Sequence, residues 1–109
     1  MKEKNNYFKG NPENGLTPIT SDWMHELFNE QAVIRGLIER YGSPINIHHP
    51  PSFNSNCENF KQIFDSYGLK YRIFYARKAN KSKGLVKQAF ASGIGVDTAS
   101  FKELEQSLS

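Results

Sequence analysis

Apolar residues recur along this chain at two different spacings. Trp23, Leu27, Ile34, Ile38 and Tyr41, joined by Met24, Phe28 and Leu37, fall on one stripe at helical spacing. The pattern predicts one helix from about residue 20, capped by Thr20 or Ser21 and stopped by Gly42 with Pro44. Ile45-Asn46-Ile47-His48 reads as a short extended piece ended by Pro50-Pro51. A second helix carries Phe53, Cys57, Phe60, Phe64 and Tyr67 on one face. Ser55 and Glu58 stand at capping-box spacing near its start, and Gly68 can close it.

The spacing then changes. Residues 71–76 are Tyr-Arg-Ile-Phe-Tyr-Ala, a run of aromatic and β-branched types that predicts a strand. A third helix comes next over 82–91, with Leu85, Val86, Ala89 and Phe90 inward and Gly93 at its end. Residues 94–97 make a second short strand. Ser100 and Glu103 form another capping box, ahead of an apolar stripe of Phe101, Leu104 and Leu108. Strand, helix, strand, helix at these intervals predicts an α/β fold of parallel βα units. Two such units, with the preceding helices, are too few for a closed sheet. A chain of 109 residues is also too short for an eight-unit barrel, which needs roughly 200 or more.

Residues 1–18 hold four apolar side chains among Asn, Gly, Pro and Lys, and read as a flexible arm, leaving 19–109 as the folded part. No apolar run exceeds four residues, which leaves no candidate for a membrane span or a signal-peptide core. With Cys57 as the single cysteine, no internal disulfide can form, and a cytoplasmic location is expected. On its helix stripe Cys57 reads as a buried, inert thiol.

The net charge of +3 names no partner, but its distribution is uneven. Between Asp65 and Asp97 there is no carboxylate, while Lys70, Arg72, Arg77, Lys78, Lys81, Lys83 and Lys87 all fall there. Such a block suits an anionic ligand, either a phosphorylated cofactor or a nucleic acid; a set of solvated surface charges is the other reading. Within it, Lys78 lies directly after the predicted strand. Barrel enzymes carry their reacting groups at the carboxyl ends of strands. A lysine desolvated there among aromatic neighbours becomes a nucleophile toward carbonyls. Position alone favours the other reading, a surface lysine in a basic loop. His48 and His49, adjacent on an extended piece, make a poor metal pair, and no metal site is expected.

Three segments taken in order narrow these readings. Residues 41–47 (YGSPINI) resemble the "YGTPLYVY" segment of the fold-type III pyridoxal-phosphate decarboxylases, the diaminopimelate, ornithine and arginine decarboxylase group. Residues 75–80 (YARKAN) are similar to that family's "YAxKAN" box, and residues 93–100 (GIGVDTAS) to its "GxGxDxAS" strand, with Glu103-Leu104 matching the "EL" after it. The resemblance covers residues 20–109. It implies the N-terminal part of a TIM-like (β/α)8 barrel of the alanine racemase type, incomplete at this length. It also implies pyridoxal 5'-phosphate as cofactor, Lys78 as the catalytic lysine that forms the Schiff base, and Asp97 as a second cofactor-site residue close to that lysine. An amino-acid substrate, a carboxy-lyase reaction and a homodimer are implied as well, with a piece of this size inactive alone. One departure is Arg77, which stands where the family usually has a small apolar residue. Two alternatives stay open: a racemase or non-catalytic relative using the same cofactor, and a small basic module binding single-stranded nucleic acid through Tyr67, Tyr71, Phe74 and Tyr75. The placement of those aromatics on a strand or helix stripe favours core packing, so no nucleic-acid partner is expected.

Overall fold

A computed structural model describes residues 19–109, so the arm expected over 1–18 lies outside the described residues. The described chain forms two units, divided after Asn46.

The first unit contains two helices, α1 (Asp22–Asn29) and α2 (Gln31–Tyr41), where the hydrophobic stripe predicted one. The break is at Glu30, which leaves helical geometry at φ −91°, ψ 66°. Neighbouring polar groups explain it. The Glu30 N–H turns back to the Leu27 carbonyl (3.0 Å), and Gln31 Nε2 donates to the Phe28 carbonyl (2.7 Å). These carbonyls would otherwise receive backbone N–H groups one turn on, so local bonds compete with helix propagation. α1 starts at Ser21 without a side-chain cap bond, and Asp22 supplies negative charge to its first turn. α2 ends at Gly42, as expected.

The second unit runs from Ile47 to Ser109 and holds α3 (Pro50–Ser66), β1 (Phe74–Ala76), α4 (Lys83–Ala91), β2 (Gly95–Asp97) and α5 (Phe101–Leu108). α3 begins earlier than the Ser55/Glu58 pattern indicated. Pro50 and Pro51 occupy its first turn, where a missing N–H costs nothing. His49 is the cap: its Nδ1 accepts from the Ser52 backbone N–H (3.3 Å). Glu58, freed from capping, pairs instead with Lys61 at 2.9 Å.

α3 and α4 end in the same way. Gly68 (φ 64°) and Gly93 (φ 68°) take the left-handed conformation. The N–H of each glycine and of the residue after it return to the last turn, Gly68 to Asp65 and Leu69 to Phe64, Gly93 to Phe90 and Ile94 to Ala89, all within 3.1 Å. This Schellman closure satisfies carbonyls that the helix leaves open. Beyond Gly93 the chain enters β2 almost at once.

β1 and β2 pair in parallel with Phe74 opposite Gly95, Tyr75 opposite Val96 and Ala76 opposite Asp97. Flanking bonds from the Gly95 N–H to the Ile73 carbonyl and from the Arg77 N–H to the Asp97 carbonyl lengthen the ladder at both ends. The strand predicted over 71–76 is thus shorter than its β-forming residues, because its partner spans only three positions. One face of this pair is buried. Ile73, Tyr75 and Val96 pack on Cys57, Ala89 and Ile94, with Phe53 edge-on to Tyr75 at 5.3 Å between ring centroids. Lys61 Nζ, donating to the Ser92 carbonyl (2.7 Å), and Ser92 Oγ, donating to Asn54 Oδ1 (2.8 Å), bind α3 to the end of α4. On the other face the exposed Phe74 ring lies against Gly95. A Cβ at Gly95 would meet that ring at 2.5 Å, so only glycine accommodates the cross-strand contact.

α5 turns a different face inward from the one predicted. Phe101, Leu104 and Leu108 are exposed, whereas Glu103 is buried at 8%. Phe90, expected inward on α4, is also exposed. The cause for α5 is the polar network around Glu103.

Candidate functional site

Two parallel strands give the site its frame, since their carboxyl ends lie side by side. β1 ends at Ala76, and the chain turns through residues 77–79 before α4. The turn is closed by Ala79 N–H to the Ala76 carbonyl and Asn80 N–H to the Arg77 carbonyl, both 3.1 Å. Asn80 organises the exit from this turn. Its Oδ1 accepts from the Ser82 N–H (3.0 Å), its carbonyl accepts from the Tyr75 hydroxyl (2.6 Å), and its side-chain amide meets His48 Nε2 at 2.8 Å. Burial pushes the Tyr75 hydroxyl pKa above its usual value, which keeps that group a donor.

Lys78 sits within this turn with its side chain exposed, rather than desolvated among the aromatics. Asp97 ends β2 directly opposite Ala76, on the face that also carries Phe74 and Gly95. The two residues expected to form the site therefore come from adjacent strand ends. Their side chains are not joined: among the described residues the ion pairs are Lys61–Glu58 and Lys81–Glu103.

Arg77 is the residue that its basic surroundings conceal. In the sequence it belongs to a run of charges suited to an anionic ligand; in the fold it is only 2% exposed and part of the interior. Nη1 donates to the Glu103 carbonyl at 2.8 Å and Nη2 to Gln106 Oε1 at 3.0 Å. Glu103 gathers further bonds. Its Oε2 accepts from the Ala99 N–H (2.9 Å), its own N–H donates to Ser100 Oγ (3.2 Å), and Lys81 lies 3.3 Å from Oε1. The capping box predicted from Ser100 and Glu103 is present, with Ala99 as the back-bonded donor.

The Ala99 N–H above all, then the Lys81 and Arg77 charges, hold the Glu103 carboxyl below its ordinary value of 4.5, against the opposing effect of burial. Because the folded state takes up this proton less readily than the unfolded one, the carboxylate's contribution is complete above that ordinary value. It is lost as the pH falls through the lowered one. Acidification is thus expected to release the Ala99 N–H and fray α5, seen as a lower protection factor for the Ala99 amide in the acid range. Glu103→Gln should flatten this part of the pH profile.

Other candidate groups have structural uses. His49 caps α3, and Tyr71 stacks on Phe64 at 5.1 Å between centroids. Burial raises the Cys57 thiol pKa, in keeping with an unreactive core position. No group of three His, Cys, Asp or Glu able to hold a metal occurs among the described residues. A cleft of about 360 Å³, lined by residues including Lys61, Arg72, Phe74 and Gly93, opens at the amino ends of the strands, away from Lys78. None of the helices among the described residues is long and apolar enough to cross a membrane.

Comparison with known proteins decides the family. The sequence profile of the pyridoxal-dependent decarboxylases, pyridoxal binding domain, matches residues 51–109, more than half of the chain. The chain belongs to this family. Its cofactor is pyridoxal phosphate, as the resemblance implied. Among similar proteins, the uncharacterised protein y4yA of Sinorhizobium fredii is 33% identical over 91 residues, which is 83% of this chain and 20% of that protein. The diaminopimelate decarboxylase of Bacillus subtilis is 35% identical over 68 residues, covering 62% of this chain and 16% of the enzyme. That of Pseudomonas fluorescens is 28% identical over 83 residues, covering 76% and 20%. The chain thus spans about a fifth of the length of these relatives. No solved structure matches it significantly.

Proposed function

We propose that this chain carries the cofactor-holding lysine of an amino-acid decarboxylase of the diaminopimelate/ornithine type, and that Lys78 is that lysine. In the same reading, β1–α4 and β2–α5 are two consecutive units of a (β/α)8 barrel, and Asp97 belongs to the cofactor site. The observation that carries the reading is the position of Lys78: an exposed amine in the turn after a parallel strand, beside the end of the next strand, within the family match.

The residues present fit the cofactor. When bound, pyridoxal phosphate supplies an aldehyde for a lysine amine and a ring that takes up the electron pair left when carbon dioxide departs. Toward it, Lys78 contributes the only ionisable side chain in the 77–79 turn that is exposed, since Arg77 is turned inward. Its amine would be the group that holds the cofactor's aldehyde carbon. Asp97 contributes a carboxylate on the open face of the strand pair, one strand away, suited to hold a proton or to orient the lysine between steps. Glycine at position 95 lets the Phe74 ring lie against the strand on that face.

The test is covalent trapping. The chain as naturally made is mixed with pyridoxal phosphate, reduced with borohydride and mapped by mass spectrometry. Label concentrated on Lys78 is the expected result. Label spread evenly over Lys78, Lys81, Lys83 and Lys87 would overturn the reading.

A further inference from the structure

We propose that Arg77 is a positioning residue: by clamping the β1–α4 turn to helix α5 it fixes where Lys78 presents its amine. The inference rests on the assignment of Lys78 as the cofactor's lysine, but it concerns a residue at which this chain departs from its family's usual pattern.

Four observations converge on Arg77. It stands between the last residue of β1 and Lys78, so any displacement of its backbone is passed directly to the lysine. Its N–H donates to the Asp97 carbonyl, and its carbonyl accepts from the Asn80 N–H, so its peptide groups belong both to the strand ladder and to the turn. Its side chain, nearly fully buried, reaches two acceptors on α5, the Glu103 carbonyl and Gln106 Oε1. Finally, the far side of the turn is tied to the same helix residue, because Lys81 pairs with the Glu103 carboxylate. Lys78 therefore lies between two tethers that converge on Glu103, one to its backbone and one to its side chain.

The chemistry explains why arginine serves here. A guanidinium presents several N–H donors in a rigid plane, so it meets two acceptors of fixed spacing with its geometry already set, whereas an apolar side chain offers no donor. Burying such a group is costly unless its donors are matched. The two acceptors 26 and 29 residues away repay part of that cost only when α5 is docked in this register. Among the described residues the exposed Lys78 side chain has no ion-pair partner, so its placement is inherited from its buried neighbour. Asp97 is joined to the same arrangement through the bond from the Arg77 N–H, which couples the two strand ends of the candidate site.

The experiment measures the selectivity of pyridoxal phosphate for Lys78 over Lys81, Lys83 and Lys87, by borohydride trapping of the chain as naturally made. Arg77→Met keeps the bulk of the buried arm and removes its donors; Gln106→Leu leaves the guanidinium and removes one acceptor at an exposed position. Circular dichroism and thermal melting establish that each variant is folded. The expected result is that Arg77→Met lowers the preference for Lys78 about tenfold or more, the scale on which small misplacements act. Gln106→Leu should lower it several-fold, with helicity retained. An unchanged preference in folded Arg77→Met overturns the proposal. Should that variant not fold, an unchanged preference in Gln106→Leu overturns it. Even labelling in the unsubstituted chain overturns the Lys78 assignment and this proposal together, whereas selective labelling that survives both substitutions overturns this proposal alone.

Discussion

Replacing Lys78 with alanine is expected to remove essentially all site-selective pyridoxal phosphate incorporation. Lys87→Ala, at an exposed position on α4, should leave it intact. The contrast is large because the amine is the bond-forming group, and no neighbouring lysine stands in for it. Lys81 is held against Glu103, and Lys83 and Lys87 lie on a helix beyond the turn. The measurement is the mass-mapped label after borohydride reduction, supported by the visible absorbance of the lysine-bound cofactor. Retention of label in Lys78→Ala at the original level would show that the turn is not the cofactor's attachment point.

The second large effect concerns folding. Ile94→Ala should destabilise the second unit by about 2–5 kcal/mol, the usual range for truncating a buried aliphatic side chain. Ile94 is 7% exposed and packs in the same cluster as Cys57 and Ala89, where few residues share the work. It is also the residue whose N–H completes the α4 closure, so the cavity opens where helix passes into strand. Leu108→Ala is the comparison. At 75% exposure that leucine buries little, and its loss should change stability by no more than about 0.5 kcal/mol. Urea unfolding reads both, as shifts in midpoint at constant slope.

Much of this architecture was legible in the order of residues. Helices α4 and α5, the Ser100–Glu103 cap and the glycine stops at 68 and 93 are local features, decided by side chains within one turn of where they act. The parallel pairing could be read from alternating strand and helix patterns. What escaped depends on distant or competing partners. The break at Glu30 arises because polar side chains take carbonyls inside an otherwise continuous hydrophobic stripe. The early start of α3 depends on a histidine acting as cap and two prolines reading as a stop. Arg77 looked like one more charge in a basic run, since its acceptors on α5 are remote in sequence. For the same reason Phe101, Leu104 and Leu108 looked like the inward face of α5, whereas the polar bonds of Glu103 turn the opposite side inward. The departure from the family pattern at position 77 was the one available sign.

The glycine closure at the end of α4 also acts as a ruler. From Ala91 to Asp97 there is little slack: the helix ends, three residues make the closure, and three are paired. Side chains alternate between faces along a strand, so one residue inserted here would move Asp97 off the open face and bring its neighbour into its place. The stretch from Lys78 to Ser82 is loop, but the bonds of Asn80 and the Lys81–Glu103 pair fix its path. The spacing between the two candidate residues is therefore set on both sides, by strand pairing at the aspartate and by the turn's bonds at the lysine. Variation in chain length compatible with this site should fall outside both segments.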